Sequence, residues 1–232
     1  MSKFQEWVAA AGVRAAVVEA MPRKPILTTS TFPYHISART VNREAFASDL
    51  DPVWSLMSDY LYLVAKAFDL SIHSFVLMPN HFHLLVSSPP GNLSPSLNHF
   101  MRETSRGITQ ITGRINQTYG CRNHKTVIGS YQYFLNAYKY VYRNPVRAGL
   151  CERVEDYKFS TLSGLLGFRQ IVIPLAEDMI LFPERFDDTA LDWLNSKPDA
   201  DHEEEVRCAL RKPTFVLAKR NGRPSVLERS VL

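Results

Sequence analysis

The 232-residue sequence contains few cysteines and no long apolar segment. Its three cysteines, Cys121, Cys151 and Cys208, are odd in number and stand at no spacing typical of metal ligands. This pattern argues against a disulfide framework and suits reduced thiols in a cytoplasm. No run approaches the roughly 18 to 20 apolar residues that a membrane-spanning helix needs, so we expect a soluble protein without membrane partners.

Acidic residues are scarce in two segments of the chain. Residues 101–150 hold 8 basic side chains and a single acid, and residues 211–232 hold 6 basic side chains and a single acid. By contrast, residues 151–210 hold 14 acidic and 6 basic side chains. A positive surplus confined to a segment that also carries tyrosines is what a polyanion-binding surface needs, but an ordinary solvated helix face has the same composition.

The chain is long enough for one sizeable core plus an appendage, since 45% of its residues are hydrophobic. We expect an N-terminal extension over residues 1–24 with a short amphipathic helix, followed by one main domain over residues 25–165. Residues 166–210 predict an acidic helical cap. Residues 211–232 predict a mobile basic tail, because they offer few apolar side chains to bury.

The first half of the main domain predicts a strand, a helix and a pair of strands. Residues 34–40 alternate in polarity, as a strand does. From Asp51-Pro52 onward, apolar residues recur at helical spacing, and aspartate can cap a helix whose first turn accepts proline. Residues 72–78 and 82–86 then predict two strands.

Pro79-Asn80 separates these two strands and indicates either a tight hairpin turn or a kink within one long strand, of which we favour the hairpin. Ser94 is predicted to cap a second helix with an apolar side and an arginine-bearing side. This order of elements is typical of an α+β fold with a ferredoxin-like antiparallel sheet and helices on one of its faces.

A third helix is predicted to begin near Ser130, after a glycine-containing loop with at most one short strand. Pro145 must end or kink this helix, since the residue before a proline avoids the helical conformation. Tyr138 and Tyr142 cannot share a helix face with Tyr140, so one face of this helix must belong to the core.

Two histidines stand out on the predicted strand over residues 82–86 and the turn before it. His81 and His83 project to one face of a strand, while Phe82 and Leu84 project to the other. Two imidazoles at this spacing lie roughly 6 to 7 Å apart and can share one divalent metal ion. Two half-exposed strand histidines without a ligand are the alternative.

Two motifs together resemble a known family. His81-Phe-His83 lies within Leu-Met-Pro-Asn-His-Phe-His-Leu-Leu, and residues 140–149 read Tyr-Val-Tyr-Arg-Asn-Pro-Val-Arg-Ala-Gly. The pair resembles the single-tyrosine HUH transposases and, within them, the REP-associated tyrosine transposases. Residues 34–40 and 155–160 support the match. The resemblance implies an HUH-type nuclease that cuts single-stranded DNA at hairpin-forming repeats through a 5′-phosphotyrosine, in the cytoplasm of a bacterium and associated with its nucleoid.

The resemblance also implies roles for individual residues. Tyr140 is the expected nucleophile, and because phenolate is a good leaving group, the covalent link is reversible. His81 and His83 are expected to hold Mg²⁺ or Mn²⁺. Asn144 lies four residues after Tyr140, on the same helix face, and is expected to complete the metal site, although it is also placed where a helix end before proline would be.

Five arginines are predicted to contact the phosphates of single-stranded or hairpin DNA. Arg102 and Arg106 share a face of the second helix, and Arg114 lies close to that face. Arg143 and Arg147 belong to the tyrosine motif, but Arg147 could equally pair with the acidic cap. The sequence leaves a monomer and a homodimer open.

The sequence departs from the family in the short connection over residues 121–130. Relatives carry an aromatic and basic strand there, so we expect that the sheet of this chain lacks its edge strand. This departure keeps a second function open, in which the protein binds a nucleic-acid hairpin on the same fold but has lost cleavage.

Overall fold

The computed structural model describes residues 29–176, 188–219 and 222–232. The predicted N-terminal extension, with its amphipathic helix, lies outside these residues. None of the helices in the described ranges is both long and apolar enough to cross a membrane.

Four strands form one antiparallel sheet, and helices pack on it. The strands are β1 (Tyr34–Arg39), β2 (Ser71–Met78), β3 (His81–Ser87) and β4 (His124–Val127). The helices are α1 (Asp51–Phe68), α2 (Leu93–Thr112), α3 (Tyr131–Arg147), α4 (Leu162–Leu165), α5 (Asp188–Asn195) and α6 (Ala200–Ala209). The strand order β2-β3-β1-β4 confirms the predicted α+β class and ferredoxin-like sheet.

Helices α1 and α2 cover one face of the sheet, as predicted. Trp54 of α1 stacks on Phe75 of β2 with ring centroids 5.6 Å apart. Phe100 of α2 meets Phe82 of β3 edge to face at 5.7 Å. All four rings are almost completely buried, so this face forms the apolar core that holds the strands in place.

Whereas the predicted order of elements placed α1 and α2 on one face, helix α3 lies on the opposite face of the sheet. Its Phe134 contacts His73 of β2 at 5.2 Å, and its Tyr140 contacts His83 of β3 at 6.0 Å between ring centroids. The reason is strand alternation, because β3 presents histidines to this side and phenylalanine to the other. Helix α3 therefore buries its aromatic residues against a polar face of the sheet.

The helix starts differ in detail from the prediction. Asp51 is the first residue of α1 and does not cap it; its carboxylate accepts a hydrogen bond from Lys158 at 2.6 Å. Ser94 is the second residue of α2, and its hydroxyl accepts a hydrogen bond from Lys125. Helix α3 begins near Ser130 as predicted, and Ser130 caps it, because its hydroxyl accepts a hydrogen bond from the backbone N–H of Tyr133.

Pro145 does not end α3, which continues to Arg147. Proline lacks a backbone N–H, so the carbonyl of Val141 loses its usual partner within the helix. The side-chain nitrogen of Asn144 lies 3.5 Å from that carbonyl and donates to the carbonyl of Tyr140 at 2.8 Å. The amide therefore helps the helix to pass through the proline.

Strand β4 supplies the edge that the short connection was expected to lack. It pairs with β1 from Ser37 opposite His124 to Tyr34 opposite Val127. The chain after α6 continues this edge, because Val127 exchanges backbone hydrogen bonds with Pro213 and Phe215 at 2.9 and 2.8 Å. The expectation of a missing edge strand is therefore wrong.

The C-terminal segment packs against the domain, in contrast to the mobile tail that its composition predicted. Phe215 and Leu227 are buried, and the carbonyl of Leu232 accepts hydrogen bonds from Lys139 and Trp193 at 2.8 and 3.1 Å. The prediction overlooked these few apolar residues, which are spaced so that each reaches the core.

Candidate active site

A cleft of about 680 Å³ lies between the histidine-bearing face of the sheet, helix α3 and the segment that follows α6. Its lining includes five of the predicted site residues: Tyr140, His81, His83, Asn144 and Arg147. The sequence already predicted the helix face that carries Tyr140 and the strand face that carries His81 and His83. The fold brings these two faces together.

His81 stands at the start of β3 with its ring oriented by a neighbour. Its Nδ1 lies 2.7 Å from the side-chain oxygen of Asn80, so Nδ1 donates and the lone pair of Nε2 remains available. Burial, with the positive charges of Arg39 and Arg147, lowers the pKa of His81 to about 4. The imidazole is therefore neutral at neutral pH, which is the form that binds metals.

His83 is more deeply buried and is paired with a second histidine. Its Nδ1 lies 2.8 Å from Nε2 of His35 on β1. In the pairing of β1 with β3, His35 is opposite Leu85 and Ser37 is opposite His83. Burial is the main cause that holds the pKa of His83 well below its usual value and lowers the pKa of His35 to about 3. The structure thus makes His35 the hydrogen-bond partner of a candidate metal ligand.

Asn144 enters the cleft from α3. Its side-chain nitrogen is committed to the backbone carbonyls of its own helix, as described above. The side-chain oxygen is therefore the atom that can bind a ligand in the cleft.

Tyr140 also enters the cleft from α3, and Arg147 contacts its hydroxyl. The guanidinium donates a hydrogen bond to the hydroxyl oxygen at 3.1 Å and lies 5.6 Å from the centre of the ring. Burial raises the pKa of Tyr140, and the positive charge of Arg147 opposes this rise. Arg147 thus favours the phenolate form, which is the nucleophilic form of tyrosine.

The two tyrosines that flank Tyr140 on α3, Tyr138 and Tyr142, point into the protein core. Tyr138 and Tyr142 contact each other with ring centroids 4.8 Å apart, and the hydroxyl of Tyr142 lies 2.9 Å from that of Thr161. Neither lines the cleft, so Tyr140 alone of the three is placed to react with a molecule bound there.

A divalent metal ion fits the side chains of His81, His83 and Asn144. Among the described residues no cluster of three or more His, Cys, Asp or Glu side chains could hold a metal. Two neutral imidazoles and one amide oxygen nevertheless give the cleft three candidate metal ligands, His81 and His83 from the sheet and Asn144 from α3. A set of this size leaves coordination positions open for phosphate oxygens, as in catalytic sites.

The cleft contains several charged residues that sequence reasoning missed. They are Arg39, Arg43, Arg122, Arg207 and Arg211. Arg39 carried a signal, because strand alternation places it on the face of β1 that His35 occupies. Arg43, Arg122 and Arg211 come from segments outside the α-helices and strands, where no local pattern indicates which way a side chain points, and Arg207 comes from helix α6.

Four of the predicted phosphate contacts lie outside the cleft. Arg102 and Arg106 are exposed on α2, where both lie beside Glu103. Arg114 follows the end of α2 and donates to the carbonyl of Ala45. These three belong to the layer on the other side of the sheet.

Arg143 is the fourth of these residues, and it is almost fully buried. It donates to the carbonyls of Leu194 and Asn195 at 3.2 and 2.8 Å. It thereby fastens α5 to α3 and does not reach the cleft.

Comparison with known proteins identifies the type of domain. Residues 28–138, just under half of the chain, match the family model described as "Transposase IS200 like". No curated protein matches the chain significantly. A solved structure of a REP-associated tyrosine transposase bound to a REP hairpin is similar, with a TM-score of 0.53 and 18% identity over 68% of this chain and 93% of that chain. At this identity the structural likeness shows the fold alone.

The family match includes His81 and His83 and ends two residues before Tyr140. The structural likeness extends over more of the chain than the sequence match does. Together these findings confirm the predicted resemblance: residues 28–138 resemble the IS200-like transposases, and the fold of the chain is similar to that of a REP-associated tyrosine transposase.

Proposed function

We propose that this protein is a metal-dependent single-stranded DNA endonuclease and strand transferase that acts at hairpin-forming repeats in the bacterial cytoplasm. The observation that carries the proposal is the shared cleft, in which the hydroxyl of Tyr140, held by Arg147, faces the same space as His81 and His83. A REP hairpin is bound in the similar solved structure, and we propose the same class of partner here.

Tyr140 is proposed as the nucleophile. Its oxygen forms a bond to the phosphorus of a phosphodiester while the bond to the 3′-oxygen breaks, so the products are a 5′-phosphotyrosine and a free 3′-hydroxyl. The phenol gives up its proton, and the departing 3′-oxygen takes one up. The reverse reaction joins the DNA to a new 3′-hydroxyl without an external energy source, because phenolate leaves readily.

Arg147 supports this step through its hydrogen bond to the hydroxyl of Tyr140. A hydrogen bond from a guanidinium is stronger to phenolate than to phenol, so its stabilisation grows as the proton leaves. The same guanidinium stabilises the phenolate again when the phosphotyrosine link is broken. Burial has the opposite effect on Tyr140 and keeps it protonated while no substrate is bound.

His81, His83 and Asn144 would hold Mg²⁺ or Mn²⁺. Such an ion supplies charge neutralisation on the scissile phosphate and fixes its position. Asn80 and His35 orient the two imidazoles through their Nδ1 atoms. The depressed pKa values keep both rings unprotonated, so no proton competes for the lone pairs at neutral pH.

The alternative of a hairpin-binding protein that has lost cleavage rested on a missing edge strand. Because β4 is present, that argument no longer favours it. The test is incubation of the protein with single-stranded hairpin oligonucleotides and Mn²⁺, followed by a denaturing gel. We expect a covalent adduct, whereas hairpin binding without an adduct on any substrate would support the alternative.

A further inference from the structure

The cleft is rich in arginine beyond what the proposed reaction uses. Six arginines line it, and none of its lining residues is an aspartate or a glutamate. Arg147 donates a hydrogen bond to the hydroxyl of Tyr140. The remaining five, Arg39, Arg43, Arg122, Arg207 and Arg211, have no role in the chemistry described above.

Three of these arginines lie close enough to repel one another. Besides burial, the charges of Arg43 and Arg211 lower the pKa of Arg39. Like charges with no carboxylate beside them in the cleft repel one another, and this repulsion is unfavourable. A bound polyanion would neutralise the charges and relieve the repulsion.

The C-terminal segment holds two of the arginines firmly at the cleft. The carbonyls of Leu210 and Arg211 accept hydrogen bonds from the side chains of Thr126 and His124 on β4 at 2.9 and 2.8 Å. The backbone pairing of Val127 follows directly, and the side chain of Leu210 is buried. The backbone at Arg211 is therefore fixed against the edge of the sheet.

Arg207, one turn earlier on α6, is oriented by an acidic neighbour. Its Nε and one terminal nitrogen donate to the carboxylate of Glu204. A guanidinium has five N–H donors, so the other terminal nitrogen of Arg207 keeps its donors for a ligand. The positive charge of Arg207 also reaches Tyr140, whose pKa it lowers slightly, after burial and Arg147 in order of size.

We propose that Arg207 and Arg211, together with Arg39 and Arg43, form a second phosphate-binding site for single-stranded DNA, beside the position of the scissile phosphate. This inference rests on the proposed function for the identity of the substrate. It makes the C-terminal segment, which lies beyond the residues matched by the family model, a part of the nucleic-acid surface. Guanidinium groups suit this task because they bind phosphate oxygens in pairs.

The test measures binding separately from cleavage. Affinity for a fluorescein-labelled oligothymidylate is determined by fluorescence anisotropy over a series of KCl concentrations, with Arg207→Gln and Arg211→Gln. We expect each variant to bind roughly tenfold more weakly, the loss of one charge-assisted hydrogen bond. The slope of log K against log salt should fall by about 0.7 for each phosphate contact removed.

Arg229→Gln is the matched control, because Arg229 is an exposed arginine of the same C-terminal segment outside the cleft. It removes the same charge and should leave affinity and slope unchanged. Arg211→Lys keeps the charge on an exposed side chain and should restore most of the affinity, which a folding defect would not allow.

Equal affinity and equal salt slope for wild type, Arg207→Gln and Arg211→Gln would overturn the inference, as would an identical loss in Arg229→Gln. A wild-type protein that binds no oligothymidylate would also overturn it. Loss of binding in the two cleft variants, from a wild type that forms no covalent adduct, would support this phosphate site and refute the proposed reaction. The two proposals therefore fail on different measurements.

Discussion

The two faces of the sheet are chemically opposite. On the α1 and α2 side, the ring of Phe82 contacts the rings of Phe75, Phe100 and Tyr119. On the α3 side, the adjacent residue His83 meets His35, His81 and Tyr140. Consecutive residues of one strand thus serve two purposes, since alternation sends one into the core and the next into the cleft.

The two faces also differ in what they contribute to the free energy of folding. Burying a large apolar side chain contributes about 1.5 to 3 kcal/mol to folding. Burying an imidazole instead suppresses its charged form, which is why the pKa of His81 falls to about 4. The polar face therefore adds less to stability, and its residues are retained for what they can bind.

The largest expected effect is on the covalent adduct. Tyr140→Phe removes only the hydroxyl, so it should eliminate the adduct while hairpin affinity stays within a few-fold and the ring still packs. A denaturing gel measures the adduct, and mass spectrometry of the wild-type adduct should place a nucleotide on the peptide that contains Tyr140.

Tyr142→Phe is the control from the core side of the same helix. It loses the contact with the hydroxyl of Thr161, and with it about 1 kcal/mol of stability, but should still form the adduct. An adduct that persists in Tyr140→Phe, or one mapped to Tyr138 or Tyr142, would contradict the assignment.

The second effect concerns the metal site. His81→Ala and His83→Ala should abolish cleavage and remove Mn²⁺ binding, measured by isothermal titration calorimetry, while most hairpin binding remains. His73→Ala changes a histidine of β2 that lies outside the cleft and should keep both properties. Cleavage that survives either substitution, or that a chelator does not reduce, would rule out the metal assignment.

The third prediction concerns stability, to which the apolar face should contribute more than the cleft face. Phe82→Ala should lower the free energy of unfolding by about 3 to 5 kcal/mol, because it opens a cavity in the packed face. His81→Ala, one residue earlier and half-buried at the cleft, should lower it by much less. Urea denaturation followed by circular dichroism measures both, and comparable losses would show that the cleft face contributes as much to stability as the core face.

The fourth effect is on pH dependence. Arg147 opposes the rise that burial causes in the pKa of Tyr140, so Arg147→Gln should raise this pKa further. The rate of adduct formation at neutral pH should fall about tenfold to a hundredfold, as expected for losing one hydrogen bond to a charged group. The rising limb of the pH–rate profile should move to higher pH. A uniform loss at every pH would mean that Arg147 acts only on DNA binding.

The smallest effect is expected on the far side of the sheet. Arg102 and Arg106 are exposed on α2 and lie beside Glu103, in the layer that does not contribute to the cleft. Arg102→Gln should therefore change oligothymidylate affinity by less than twofold, within the range of an exposed ion pair. A change as large as that of Arg211→Gln would return the helix arginines to the phosphate-binding surface that the sequence predicted.

The sequence by itself determined the features that depend on local spacing. The pair His81 and His83 follows from strand alternation, and the placement of Asn144 on the face of Tyr140 follows from helical periodicity. Such patterns predict which side chains share a face whatever the rest of the chain does. The α+β class and the ferredoxin-like sheet followed from the order of these elements, whereas the edge strand β4 did not.

Only the tertiary structure decided what meets those faces. His35 and Arg39 of β1 reach the same cleft as Arg211, which lies far away in the sequence. Arg143, which the motif indicated as a phosphate contact, is buried against α5. Contacts of this kind depend on which buried surfaces fit together after long loops close, and no local period encodes that fit. The packed C-terminal segment has the same origin, because a few well-placed apolar residues hold it against the sheet despite its basic composition.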